Sequence, residues 1–291
     1  MLKINFIKYH KIAIIFSALL ILLSFASLST KFLNLGIDFT GGILMEARFK
    51  EKIEVSDLRS LLIKGNIQKF NIQSFDEKDV MIRVPKDGEI DQSNLVIKIK
   101  NILNNYSSEI EYRKIDFVGP KIGQELIKSA ILALLLSCFF VLIYIWYRFD
   151  LEFGIWSIIA LVHDIIITVG FISLTSLEFN STSIAALLTV IGYSINDSVV
   201  IYDRVRENLQ RYKKMSISEV INISINASFR RTIIKSGTTL LALLALILFG
   251  GEILKTFSVS LFFGILIGTY SSIYISSALL IFTDPRKVKS S

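Results

Sequence analysis

The sequence predicts a polytopic α-helical membrane protein with six transmembrane helices, plus a ferredoxin-like α+β (βαββαβ) periplasmic domain between helices 1 and 2. Three observations predict it. The 291 residues are 52% hydrophobic, with a mean hydropathy of +0.58, too apolar for an ordinary soluble domain. Six apolar runs are long enough to cross a bilayer. Between the first two lies a stretch of about 85 residues in which apolar side chains recur at strand and helix spacing.

The runs are about Ile12–Leu28, Ala130–Tyr147, Phe153–Leu174, Ser183–Tyr202, Thr232–Phe249 and Phe257–Phe282. The first lacks a small-x-small cleavage site and is followed by Lys31-Phe32-Leu33, so it is expected to be a retained helix and not a signal peptide. Orientation follows from Lys and Arg in short loops. Lys3, Lys8 and Lys11 precede the first run. Arg148 follows the second. Arg204, Arg206, Arg211, Lys213, Lys214, Arg230 and Arg231 lie between the fourth and fifth, and Arg286, Lys287 and Lys289 end the chain. With six spans these groups share one side, while the opposite loops, Thr175–Thr182 and Gly250–Thr256, hold only Lys255. Both termini are therefore expected to be cytoplasmic.

The expected domains are 1–34, 35–123 and 124–291. In the outer segment Gly42–Phe49 alternates as a strand. Val55–Lys64 has helical spacing. Ile67–Phe75 and Val80–Val84 read as strands joined by the polar turn Asp76-Glu77-Lys78-Asp79. Ser93–Tyr106 carries Leu95, Val96, Ile99, Ile102 and Leu103 on one helical face, and Glu109–Val118 is a last strand. The order β-α-β-β-α-β is the split-βαβ pattern. Between Gly36 and Ile122, 14 Lys/Arg balance 14 Asp/Glu, so the net charge of +7 sits elsewhere. No folded segment offers the basic stripe that nucleic acid needs.

One cysteine, Cys138, excludes an intrachain disulfide framework, and two histidines, His10 and His163, are too few for a histidine-based metal site. There is no P-loop, no nucleophile–base motif and no Rossmann fingerprint, so no cofactor, no metal and no enzyme activity is expected. Gly36–Gly42 (GIDFTGG) reads as turns.

What stands out is charge inside the apolar runs. Ser183–Tyr202 holds Asn196 and Asp197, and a carboxylate at bilayer depth costs roughly 2.5–3.5 kcal/mol by insertion scales. Asp197 lies about 20 Å along the helix from Ile184, past the midplane towards the cytoplasm. Gly192, Asn196 and Val200 share one stripe, and Tyr193, Asp197 and Ile201 share the next. The residues allow two roles for Asp197, ion or proton transfer or a polar packing contact. Arg231 opens the fifth run and can reach towards Asp197. Arg230 and Lys235 are expected to snorkel to the interface, and Arg231 can equally well do so. His163-Asp164 sits near the centre of the third run. The two point about 100° apart, so they are not expected to face one partner, but either can join a network with Asn196, Asp197 and Ser198. Ser260, Gly264, Gly268, Ser272 and Ser276 form a small-residue ridge at a four-residue repeat, which reads as packing.

Four segments together resemble one family. Gly36–Gly42 (GIDFTGG), Phe117–Gly123 (FVGPKIG), Val190–Asn208 (VIGYSINDSVVIYDRVREN) and Phe229–Leu240 (FRRTIIKSGTTL) are similar to those of the SecF family of protein translocase subunits, itself related to the resistance-nodulation-division transporters. The resemblance spans nearly the whole chain. It implies an auxiliary role in bacterial protein export at the inner membrane, driven by the proton-motive force. It also implies SecD and the SecYEG channel as partners, with YajC and YidC as further candidates, and unfolded secreted polypeptides as cargo. It marks Asp197 as the membrane carboxylate tied to proton passage, with Arg231 implicated beside it. Arg230 and Lys235 depart from the small or hydroxyl residues expected there.

Related transporters are built from two pseudo-symmetric repeats with the site between them. One repeat here implies a membrane partner besides the lipid bilayer. Two rivals stay open: an ion-coupled half-transporter of lipids or small amphiphiles, disfavoured by the small outer domain, and a non-transporting scaffold of the channel complex.

Overall fold

The structure is a computed structural model, and it describes residues 4–67, 70–74, 76–85, 92–107 and 109–283. Lys3, the basic tail Arg286, Lys287 and Lys289, and Gln68, Lys69 and Phe75 of the expected second strand lie outside the described residues. The chain divides into two compact units, Leu35–Ala130 and the remainder, Met1–Asn34 with Ile131–Ser291.

In the first unit, β1 (Gly42–Phe49), α2 (Val55–Lys64), β2 (Asn71–Ser74), β3 (Asp79–Pro85), α3 (Gln92–Tyr106) and β4 (Ile110–Val118) follow one another in the expected order. The helix α1 (His10–Thr30) precedes them in the other unit. The four strands form one sheet in the order β2-β3-β1-β4, every neighbouring pair antiparallel. β1 is central because it is almost wholly buried, as its apolar sequence dictates. Ile43, Met45, Ala47 and Phe49 pack with Ile82 of β3, Leu58 and Leu62 of α2, and Ile99 and Leu103 of α3. Burial of such side chains contributes about 1.5–3 kcal/mol each. β2 is shorter than expected. Asn66 adopts φ 62°, and the Ile67 amide donates to the Leu62 carbonyl at 3.1 Å, so Ile67 closes α2 instead of opening a strand.

The GIDFTGG segment is not only turns. Ile37–Thr40 makes one helical turn, and Gly41 and Gly42 follow with φ 72° and 139°. A Cβ on Gly42 would also meet the Val84 carbonyl and Pro85 of the paired strand, so both backbone angle and close approach require glycine there. Gly123 backs onto the Phe39 carbonyl of the same turn. That contact brings two of the four motif segments together inside one unit.

The second unit holds the candidate spans, apart from residues 120–130 of the second span, which belong to the first unit. They are α1, α4 (Pro120–Arg148), α5 (Leu151–Leu174), α6 (Ser181–Arg211), α7 (Ile217–Phe249) and α8 (Gly251–Ser271). All six apolar runs fall on helices long and apolar enough to cross a membrane. α1 packs on α5, α5 on α6 and α8, and α6 and α7 on each other and on α8.

α4 begins at Pro120, the favoured first helical position for proline. Two expectations are corrected. The basic segment between the fourth and fifth runs is helical. α6 continues to Arg211 and α7 begins at Ile217, started by a reciprocal cap in which Ser216 and Glu219 bond each other's backbone amides. Those polar extensions stay helical because they have a buried face, where Tyr202 and Val205 pack against Ile221 and Ile225. The apolar run marks where lipid is crossed and not where the helix stops. The last span leaves the α-helix after Ser271, continuing as a π-helical turn, Ser272–Ser276, and a 3₁₀ segment, Ala278–Thr283.

Candidate functional site

Asp197 is buried on α6, and its neighbours come from the facing side of α7. Lys235 Nζ stands 2.8 Å from Asp197 Oδ1. The same ammonium donates to the Tyr193 carbonyl at 3.3 Å and sits 3.8 Å above the centre of the Tyr193 ring. Tyr193 and Asp197 can both serve one cation because they are four residues apart on one helical stripe. The tyrosine hydroxyl is tied in turn to α7, at 2.9 Å from the Lys235 carbonyl and 2.8 Å from Thr239 Oγ1. The pair is thus fixed on both helices. It is not sealed on all sides: the Lys235 side chain is 26% exposed against 4% for Asp197. Asp197 Oδ2 is buried without a hydrogen-bond partner among the described residues.

The expected arrangement is therefore rearranged in one respect. Lys235, expected to snorkel to the interface, instead turns inwards and takes the place next to the carboxylate. A lysine ammonium bends back along its flexible stem where an acid, a carbonyl and an aromatic face converge. Arg230 and Arg231 are exposed on α7, and Arg231 acts on Asp197 through space, without a contact. Asn196 is exposed on the adjoining stripe of α6, as is Gly192, and among the described residues it makes none of these contacts. The sequence signal for the missed residues was modest: a lysine one turn past Arg231 inside an apolar run, and a tyrosine one turn before the acid.

His163, Asp164 and Ser198 fall in two other buried networks. Asp164 Oδ2 accepts from Ser194 Oγ of α6 at 2.7 Å and from Ser271 Oγ of α8 at 2.8 Å. Its Oδ1 lies 2.9 Å from His163 Nδ1. The neighbours that were not expected to share a partner bond each other, the imidazole folding back on the next residue. Ser198 bonds Ser276 at 3.0 Å, and Ser276 reaches Tyr202 at 2.7 Å. The small-residue ridge of the last span explains these contacts. Gly264 faces Val190 and Gly268 faces Ser194, a four-residue step on each helix, while Ser276, eight residues beyond Gly268, bonds Ser198. The ridge carries polar ties as well as packing.

Among the described residues no group of three or more His, Cys, Asp or Glu side chains could hold a metal ion. The arrangement on α6 and α7 can hold a proton on a carboxylate and release or re-engage a neighbouring ammonium. It offers no nucleophile set beside a general base.

Comparison with known proteins gives concordant results. Residues 98–286 match the family model for the protein export membrane protein SecD/SecF, C-terminal, and residues 26–53 match the SecD/SecF GG motif. The protein translocase subunit SecF of Rickettsia rickettsii (strain Sheila Smith) is 47% identical over 285 residues, 97% of this chain and 92% of that protein. Its counterpart in Rickettsia bellii (strain OSU 85-389) is 48% identical over 278 residues, 95% of this chain and 92% of that one. Among solved structures, SecDF from Thermus thermophilus, described as a translocon-associated membrane protein, superposes with a TM-score of 0.86 at 37% identity. A SecDF structure in a super-membrane-facing form gives 0.73 at 36% identity. These superpositions cover 97% and 100% of this chain but only 39% and 40% of those chains, so it spans about two fifths of their length.

Proposed function

This chain belongs to the SecD/SecF family of protein-export membrane proteins, on its SecF side, and we propose that it uses the proton-motive force with SecD to assist movement and release of secreted chains at the periplasmic face. Family membership makes it a multi-pass membrane protein and an auxiliary subunit of the Sec translocase, with SecD as partner. SecYEG is the channel it would serve, with YajC and YidC as further candidate partners, and both termini would be cytoplasmic in the inner membrane. We read residues 35–123 as a ferredoxin-like domain on the outer side, between the first span and the five that follow.

The single observation that supports coupling is the Asp197–Lys235 pair, a buried carboxylate with one oxygen bound to an ammonium and the other free to take a proton. Protonation of Oδ2 cancels the charge that holds Lys235. The ammonium keeps the Tyr193 carbonyl and ring as a resting place, so it need not leave the site bare. Arg231 adds positive potential nearby. One charge crossing 100 mV is worth about 2.3 kcal/mol, which biases a two-state movement by about 50-fold. The outer domain would be the moving element, engaging emerging chain by its sheet edge or by apolar side chains.

The test is Asp197→Asn in a complex that still assembles with SecD. Export from membrane vesicles should lose its dependence on the gradient. Export that stays gradient-dependent would remove Asp197 from the coupling role. A scaffold reading has one observation in its favour: one oxygen of the carboxylate is already held by a counter-ion. It predicts that collapsing the gradient leaves the outer domain's conformation unchanged.

A further inference from the structure

The imidazole of His163 is buried at the middle of α5, 5% exposed, beside the 1% exposed carboxylate of Asp164. Nothing in the Asp197 account uses it. Three groups point at the carboxylate, Ser194 and Ser271 at Oδ2 and His163 Nδ1 at Oδ1, a set that fits its ionised form. With Nδ1–H donating to Asp164, the second ring nitrogen carries the lone pair. That nitrogen, His163 Nε2, is buried with no hydrogen-bond partner among the described residues. The centre so built gives the carboxylate three polar neighbours and leaves Nε2 of the adjoining imidazole facing none among the described residues.

We propose that His163 Nε2 is a second proton-binding site of this chain, with Asp164 as its fixed counter-charge. Uptake forms an N–H bond from the Nε2 lone pair, and the imidazolium and the carboxylate then make a neutral pair. The two acidic centres differ in kind. Asp197 is matched by a lysine, whereas Asp164 is matched by an imidazole, the side-chain class that changes charge near neutrality. A purely structural tie between α5, α6 and α8 needs the carboxylate and the two serines, but not an imidazole with an unpartnered nitrogen. Other titratable groups around it are few. On α8, the Tyr270 ring lies 6.4 Å from the imidazole, with its hydroxyl bonded to Ser17 and to the Ala13 carbonyl of α1. On α6, Asp197 is three residues beyond Ser194 but is turned to Lys235. The charged groups of α1 are confined to its ends, where His10 bonds the Ile7 carbonyl and Lys31 the Leu174 carbonyl.

The chain has only two histidines, so a His10→Gln background leaves His163 as the one imidazole of this subunit. With ¹⁵N-histidine in this subunit alone, assembled with its membrane partner, the ring nitrogen signals should change as pH is varied across the range in which the complex is intact. Asp164→Asn should change that proton affinity by about tenfold or more, one pH unit of midpoint. Ring signals that stay constant across the range, or a midpoint indifferent to Asp164→Asn, would overturn the proposal. His163→Gln keeps a donor for Asp164 but cannot take the proton, and the pH profile of gradient-driven export should flatten in it. A profile identical to the parent's would also count against the site. The titration should persist in Asp197→Asn, so failure of the Asp197 reading and failure of this one are read separately.

Discussion

Lys235 Nζ and Asp197 Oδ1 lie 2.8 Å apart across the contact between α6 and α7, and each is the other's ion-pair partner. Lys235→Met should leave a buried carboxylate without a counter-charge. Losing one member of a buried pair costs about 3–5 kcal/mol. The part-exposed lysine places this case nearer the lower figure. Asp197→Asn combined with Lys235→Met should recover much of the loss, because neither charge is then stranded. Unfolding of the purified subunit in detergent, analysed as a double-mutant cycle, measures the coupling. Additive effects would mean that the two side chains do not interact.

Gly170 and Gly192 make a matched pair. A Cβ on Gly170 of α5 would run into Ser24 of α1, including its backbone Cα at 2.6 Å, whereas a Cβ on Gly192 of α6 meets nothing within 4 Å. Gly170→Ala should therefore destabilise the isolated subunit by about 1–3 kcal/mol, the range for overpacking. Gly192→Ala should be neutral or stabilising by up to about 1 kcal/mol, the helix preference of alanine over glycine. Thermal unfolding in one detergent compares them directly. The reverse ranking would show that the α1–α5 contact is misplaced.

Asp79 gives the sheet a pH dependence. Its carboxylate is held below the usual range chiefly by the paired hydrogen bonds from Arg48, at 2.7 and 2.8 Å, with Arg113 adding to the effect. A depressed carboxylate contributes stability that is present above its ordinary value, near pH 4, and lost as pH falls through the lower folded one. Asp79→Asn should weaken the protein at neutral pH and converge with the parent in strong acid. Amide exchange in β1 and β3, followed against pH, reads this locally. Equal protection at neutral pH would show that the pair contributes nothing.

The βαββαβ order was legible because β1 and the two helices carry unbroken apolar patterns. Ile43, Met45, Ile99 and Leu103 fall where alternation and helical spacing put them. The six spans were legible from length alone. What escaped were the polar ends and the partners. Val205 and Ile221 hold α6 and α7 helical beyond the lipid-crossing runs, and a hydropathy window does not see a buried face on a charged segment. Asp197 stood out as a costly carboxylate, but the choice of Lys235 over Arg231 depends on helix rotation, which one stripe of residues does not encode. The Asp164 network was hidden for a similar reason. Its two serine donors come from α6 and α8, distant in sequence and unremarkable in type.

The π-helical turn at Ser272–Ser276 also sets the rotational phase of the last span. Four residues on an ordinary α-helix advance about 40° beyond a full circle, so a ridge repeating every fourth position slowly winds off its neighbour. One wider turn undershoots that circle, and Ser276 at its end bonds Ser198 and Tyr202 of α6. Removing a single residue there would leave every earlier contact intact and rotate everything downstream out of register.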